Sequence, residues 1–330
     1  MTRVGPRAAA IEIMLLGLAI ACAAPPASHA AAGATASITV RHDGMKRTAL
    51  VHYPPQVVER RPLPVVLNFH GGGGNALAQQ RYAGMDALAD REGFIVVYPN
   101  GTGMLQDSLL TWNAGACCGV AATQGTDDVG FVGTLLDEVA ARFPVDAARV
   151  YATGLSNGAM MSYRLAADLS DRIAAIAPVA GASAMAKFRA ARPVPILHIH
   201  SVDDLRALYG GGLGPPFPFT NVRVMHRPVE ASLAEWAAHA GCAAPPEVRD
   251  RRSGAAGTPR ASHTAMLIVY PGCRDGVEVA LWKLTGAGHV WPGGERDYLP
   301  RLLGPGTDVI DANAEMWRFF QRHRLPARRR

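Results

Sequence analysis

The stretch that decides the fold is Val150-Tyr151-Ala152-Thr153-Gly154-Leu155-Ser156-Asn157-Gly158-Ala159-Met160-Met161. Its first four residues read as a short apolar strand. Its last residues open a helix that carries Met160, Met161 and Leu165. Between them, Gly154–Gly158 matches G-x-S-x-G. A chain that passes from strand to helix in so few residues tolerates only small side chains two positions either side of the serine, and it thrusts that serine above the sheet near a helix N-terminus. In a chain with 35 glycines the motif alone arises by chance. Its placement between an apolar strand and a helix makes it informative. Ser156 is therefore the candidate nucleophile.

The surroundings support that reading. Residues 37–40 and 47–53 read as two strands joined at Asp43-Gly44, a hairpin signal. Apolar strands follow at 64–70, 94–98, 173–179 and 195–200, with helices at 76–91, from Thr126-Asp127-Asp128 through 142, at 229–240 and at 311–322. A second hairpin is predicted from 266–270 and 277–284 around Asp275-Gly276. Continuous apolar strands that alternate with helices imply a parallel sheet covered on both faces. The predicted fold is α/β, of the α/β-hydrolase type: a mostly parallel sheet with an antiparallel N-terminal hairpin and helices on both faces. No repeat is present, so one catalytic domain over 31–321 is expected.

A nucleophilic serine needs a base and an acid, which in this fold follow in the order Ser, acid, His. His289, in Gly286-Ala287-Gly288-His289, follows the last predicted strand and is the candidate base. The acid belongs after the strand that ends near His200, where Asp203 and Asp204 stand side by side; local chemistry does not separate them. His198 and His200 share one face of that strand and are read as hydrogen-bonded histidines rather than metal ligands. The oxyanion needs two preformed backbone donors. Asn157 follows the nucleophile, and His70-Gly71-Gly72-Gly73-Gly74 follows the 64–70 strand, which makes Gly71 and Gly72 the second candidates. Asp127-Asp128 is read as a helix cap and loop clamp. No Gly-Lys-Ser/Thr phosphate loop or G-x-G-x-x-G dinucleotide turn occurs.

Charge narrows the partners. The net charge is +6, but 322–330 holds five arginines and no acid while the first 30 residues contribute +1, so the 31–321 body is formally neutral. In a chain with 49% hydrophobic residues, a neutral body suits an uncharged substrate better than a nucleic acid, and no nucleic-acid partner is expected. Arg3 and Arg7 before the apolar run 13–24, with small residues at Ser28-His29-Ala30, predict a signal peptide over 1–30 and a secreted or periplasmic chain with no membrane span after its removal. Cys22 offers a weaker lipid-anchor signal. Residues 322–330 form a basic tail. Of the other cysteines, Cys242 and Cys273 bracket a Pro-, Arg- and Gly-rich loop and are expected to pair. Cys117 and Cys118 are then a vicinal bridge or two thiols, with crossed pairing as the alternative. Adjacent cysteines are poor zinc ligands, and no metal or organic cofactor is expected.

Taken together, Asn68-Phe-His-Gly-Gly-Gly-Gly-Asn75, Trp112 with Cys117-Cys118-Gly119, Asp127-Asp128-Val-Gly-Phe131, Gly154 to Met161, His200-Ser-Val-Asp-Asp204 with Tyr209-Gly-Gly211, and Gly288-His-Val-Trp-Pro-Gly-Gly294 resemble a known family. They resemble the secreted polyhydroxybutyrate-depolymerase-type esterases, related to the feruloyl and acetylxylan esterases of carbohydrate esterase family one. The resemblance spans roughly 36–320. It implies Ser156 as nucleophile, His289 as base and Asp204 as acid. The family commonly reads His-Gly-Thr-Ala-Asp where this chain has Ser201 and Asp203, which keeps Asp203 in view. It further implies Trp112 and Trp291 as cleft walls, and the Gly210–Pro218 segment as a shaper of the acyl pocket. The expected activity is hydrolysis of carboxylic esters through an acyl-enzyme. The substrates implied are polyhydroxybutyrate or hydroxyalkanoate oligomers, or hydroxycinnamoyl and acetyl esters of plant polysaccharides. Two rivals stand: an amidase, peptidase or acyltransferase on the same triad, and a non-catalytic surface binding protein that keeps the fold.

Overall fold

A strand with apolar residues on both its faces must be covered twice. In β3 (Leu63–Phe69) all seven residues are buried. The computed structural model describes residues 1–2, 32–105, 107–186, 190–217, 221–294 and 299–326. The chain divides into Met1–Ala31 and Ala32–Arg330. The expected signal segment with Cys22, and 327–330 of the expected tail, lie outside the described residues; the second unit is described below.

β1 (Ala34–His42) and β2 (Met45–Tyr53) form the expected hairpin, with both Asp43 and Gly44 at positive φ. After β3 come α1 (Ala76–Ala83), α2 (Asp86–Glu92), β4 (Ile95–Pro99), α3 (Gly119–Thr123), α4 (Asp128–Arg142), β5 (Val145–Leu155), α5 (Asn157–Asp168), β6 (Ala175–Val179) and β7 (Ile196–Ser201). The chain continues through β8 (Gly212–Leu213), β9 (Met225–His226), α6 (Val229–His239), β10 (Glu247–Ser253), β11 (Thr264–Tyr270), β12 (Val279–Thr285), α7 (Pro300–Leu303) and α8 (Ala312–Phe320). The large sheet runs β1-β2-β4-β3-β5-β6-β7-β12-β11-β10. Its β4-β3-β5-β6-β7-β12 centre is parallel, and antiparallel strands flank both sides.

Two departures from the sequence reading have local causes. The helix expected over 76–91 ends at Gly84, whose φ of 59° terminates α1, and α2 starts afresh at Asp86. The loop expected between Cys242 and Cys273 also contains an edge strand, β10, which extends the β11–β12 hairpin. Arg249, Asp250, Arg251 and Arg252 stud this edge, and charge of that kind discourages pairing with another chain.

The strand residues alternate between two cores. Val65, Leu67, Val150, Ala152 and Ile176 pack with α4, α5 and α6; Val66, Tyr151, Ala175, Leu197 and Trp282 pack with α1, α2 and α8. α8 docks through aromatic stacking, Trp317 on Phe94 at 4.2 Å and Phe320 on Tyr151 at 4.6 Å. Truncating either buried ring to alanine costs about 3–5 kcal/mol. The cores leave the C-terminal ends of the parallel strands free to carry loops, and the candidate residues gather there.

Candidate active site

The turn between β5 and α5 holds Ser156 at φ 58°, ψ −117°, a region costly for any residue with a Cβ. The Ser156 N–H donates to Val179 O at 2.9 Å and so ties the turn to β6. A Cβ on Gly154 would meet Phe69 O at 2.6 Å and Gly158 C at 2.7 Å, so glycine alone fits there. Ser156 is half-buried and shares the wall of one cavity with His289.

His289 sits on the loop after β12. Its backbone N–H donates to Leu303 O at 2.6 Å, and its Nδ1 donates to Asp204 Oδ2 at 2.7 Å. Asp204 is 2% exposed and receives two further donors on Oδ1, Arg206 N at 2.7 Å and Ala207 N at 2.9 Å, while His200 Nε2, which bonds Ala207 O at 2.8 Å, lies 3.2 Å from Oδ2. Burial alone pushes this carboxyl up; the His289 charge and the hydrogen bonds from His200 and His289 outweigh it and hold the carboxyl well below the usual range. Asp203 instead faces solvent and accepts the Gly286 N–H at 2.6 Å, closing the loop after β12. Geometry thus separates the two neighbours: only Asp204 bonds His289.

The glycine loop approaches the elbow from β3. A Cβ on Gly71 would lie 3.5 Å from Ser156 Cβ, and one on Gly72 would lie 3.7 Å from Asn157 Cβ. His70 orients this loop. Its Nε2 accepts the Gly101 N–H at 3.0 Å, so its Nδ1 carries the proton and donates to Gly71 O at 2.8 Å. Burial, opposed by the Gly71 bond and aided by Arg47, lowers the His70 pKa to about 4 and keeps the ring neutral. Gly74 N donates to the same Gly71 O at 3.0 Å. In a trans peptide N–H and C=O point opposite ways. With Gly71 O held by these two donors, the Gly72 N–H faces away from His70.

The cavity is about 120 Å³. Besides Gly72, Ser156 and His289, it is lined by the Cys117–Cys118 pair, Met160, Pro215, Phe217, Val224 and Leu302–Leu303, with Arg206 and His226 as its polar members. Pro215 and Phe217 come from the expected 210–218 segment, folded over by the short β8–β9 ladder. The cysteines are paired as Cys117–Cys118 and Cys242–Cys273, which removes the crossed alternative.

Trp112 and Trp291 are corrected from cleft walls to supports behind the site. Both are 2% exposed or less, and each indole N–H has an acceptor. Trp112 Nε1 donates to His70 O at 3.0 Å, and both backbone polar groups of Trp112 are held by the Asn157 amide at 2.7 and 3.0 Å. Trp291 Nε1 donates to Asn313 Oδ1 at 3.0 Å, and its backbone N–H to Tyr82 Oη at 2.9 Å. Asp127 caps α4 by accepting the Gly130 N–H, while buried Asp128 pairs with Arg47 at 2.7 Å and accepts the Asn113 N–H at 2.8 Å, clamping the Trp112 loop. Arg206, His226 and Leu302–Leu303 had no sequence signal and reach the cavity only through tertiary packing, whereas Met160 stands one helical turn after Ser156 on α5.

A strained serine elbow on a parallel sheet, with a buried Asp–His pair facing it, defines an α/β-hydrolase. The chain belongs to the Esterase PHB depolymerase family, whose model matches residues 47–211. It is 30% identical over 250 residues to the bifunctional acetylxylan esterase/xylanase XynS20E of Neocallimastix patriciarum, covering 76% of this chain and 32% of that protein. It is 30% identical over 254 residues to feruloyl esterase B of Piromyces equi, covering 74% of this chain and 42% of that one. The chain thus spans less than half the length of these two relatives. Among solved structures, an acetyl xylan esterase from Aspergillus awamori superposes with a TM-score of 0.52 at 16% identity, over 78% of this chain and 94% of its own, a likeness of fold.

Proposed function

We propose that the chain is an exported serine esterase that hydrolyses carboxylic esters through an acyl-enzyme on Ser156. The observation that carries this reading is the 2.7 Å bond from His289 Nδ1 to buried Asp204, in a cavity that the elbow serine shares. With Nδ1 donating to Asp204, His289 Nε2 is the acceptor for the Ser156 hydroxyl proton as Oγ attacks the ester carbonyl. The N–H groups of Asn157 and of the Gly71–Gly72 turn receive the oxyanion. The ester C–O bond breaks, and the alcohol leaves with the proton from His289. A water then loses its proton to His289 and attacks the acyl carbonyl; the acid departs and Ser156 regains its hydrogen. No step calls on a metal or organic cofactor.

The apolar lining from Met160, Phe217, Val224 and Leu303 favours an uncharged acyl group. The volume lies well under the roughly 300 Å³ at which drug-sized sites begin, and so favours a short acyl chain such as acetyl or hydroxybutyryl over hydroxycinnamoyl. The family match and the acetylxylan-esterase and feruloyl-esterase relatives support ester chemistry over the amidase and binding-protein readings. The basic-then-apolar N-terminus and the Cys242–Cys273 disulfide support export, with 1–30 as signal peptide, 31–321 as catalytic domain and 322–330 as tail. Among the described residues no helix is long and apolar enough to cross a membrane.

The test is a kcat/KM comparison across acetyl, butyryl, hydroxybutyrate-oligomer and hydroxycinnamoyl esters, with a matched amide for each. Turnover of the short esters at least tenfold above both the hydroxycinnamoyl esters and the amides is expected. Preference for an amide would overturn the reaction class, and preference for a hydroxycinnamoyl ester would overturn the pocket assignment.

A further inference from the structure

Behind Asp204 lies a polar chain that the reaction as written does not use. Tyr163 Oη on α5 lies 3.0 Å from His198 Nδ1, His198 Nε2 lies 3.0 Å from His200 Nδ1, and His200 Nε2 lies 2.8 Å from Ala207 O and 3.2 Å from Asp204 Oδ2. Tyr163, His198 and His200 are 0%, 0% and 2% exposed. A buried polar chain of this kind is stabilising only when every donor meets an acceptor.

The hydrogens can be placed from the far end. Ala207 O and Asp204 Oδ2 only accept, so His200 Nε2 carries a proton. If His198 Nε2 donates to His200 Nδ1, then His198 Nδ1 is bare and accepts the Tyr163 hydroxyl, and no group is left over. If the protons ran the other way, His198 Nδ1–H would point at the Tyr163 oxygen and the hydroxyl hydrogen would lose its acceptor. Burial, with His200 adding to it, holds the His198 ring neutral, well below the usual histidine range; burial also raises Tyr163 and keeps its hydroxyl protonated. Three donors therefore point one way, and the last, His200 Nε2, bonds Ala207 O at 2.8 Å with Asp204 Oδ2 beside it at 3.2 Å.

We propose that His200, its tautomer set by His198 and Tyr163, is a positioning residue that holds Asp204 Oδ2 where His289 meets it. Oδ1 is pinned by two backbone N–H groups of its own loop. His200, on the rigid β7 strand, adds a positively polarised N–H 3.2 Å from Oδ2 on its protein side and so limits rotation of the carboxyl toward that side. His200 touches neither substrate nor reacting atoms; it acts through Asp204. The inference rests on the assignment of Asp204 and His289 to the triad.

Two substitutions test it. His200→Leu removes the donor, and His200→Gln keeps an N–H near the Nε2 position. The leucine variant is expected to lose kcat about tenfold with KM unchanged, and the glutamine variant to stay within about threefold of wild type. Unchanged kcat in the leucine variant, or a glutamine variant as impaired as it, would overturn the proposal. Should the leucine variant fail to fold, ¹⁵N NMR of the wild-type imidazoles decides: both rings are expected with Nε2 protonated and Nδ1 bare, and Nδ1–H on either ring contradicts the chain. That readout is independent of activity. Activity surviving in Ser156→Ala would strike the triad assignment instead and leave the tautomers standing.

Discussion

The floor of the candidate site and its cover are built differently. On the floor, Asp204 holds three donors, both His70 nitrogens are bonded, and the Asn157 amide is bonded through both its oxygen and its nitrogen. The cover is the two-residue β8–β9 ladder, closed by Gly214 N to Val224 O and Phe217 N to Val222 O, each 2.9 Å, with Leu213, Val222, Met225 and Leu302 exposed. Polar bonds in a buried floor fix atoms for chemistry. An apolar, exposed cover fixes little and selects by shape. The contrast assigns rate to the floor and acyl preference to the cover.

The sharpest break would come from the nucleophile. Ser156→Ala is expected to lower kcat on the order of 10⁵-fold, with folding unchanged by circular dichroism. Next, Asp204→Asn should cost on the order of 10⁴-fold in kcat, because the amide no longer accepts from His289 with a full charge. Asp203→Asn is expected to stay within about twofold, since its job is a loop bond. Equal losses at the two positions would erase the distinction the geometry draws.

The floor should also answer to pH. His70 has a folded pKa of about 4 against an ordinary 6.5. The unfolded chain takes up that proton first, so stability that is complete above about pH 6.5 falls as the pH drops toward 4, with about 2 kcal/mol from this one ring gone by pH 5. Urea unfolding between pH 7 and 4.5 measures it; a midpoint unchanged down to pH 5 would contradict the buried neutral ring. The cover should show the smallest effect on rate. Phe217→Ala is expected to shift kcat/KM toward bulkier acyl groups by about tenfold while kcat on an acetyl ester changes less than about threefold.

Most of this floor was legible in the sequence because its signals are local. The elbow needs Gly154 and Gly158 beside Ser156, and His289 and the aspartate pair follow strands whose apolar runs announce them. Local chemistry did not separate Asp203 from Asp204, since both stand on one turn; the family resemblance pointed to Asp204, and in the fold the position of His289 separates them. Trp112 and Trp291 misled for the same reason: an aromatic residue on a loop reads as a wall until His70 O and Asn313 turn it inward. β10 escaped because its alternating residues are charged, as an edge strand's are. The cover was the least legible part. Only the 210–218 segment was anticipated there, whereas Arg206, His226 of β9 and Leu302–Leu303 of α7 come from separate segments that meet after folding.

The most direct test of the central claim is covalent labelling with a fluorophosphonate followed by peptide mapping of the adduct. One adduct is expected, on Ser156, formed rapidly in the wild-type protein, absent in Ser156→Ala, and much slowed in Asp204→Asn but not in Asp203→Asn. An adduct on another residue, or equal labelling of wild type and Ser156→Ala, would contradict it.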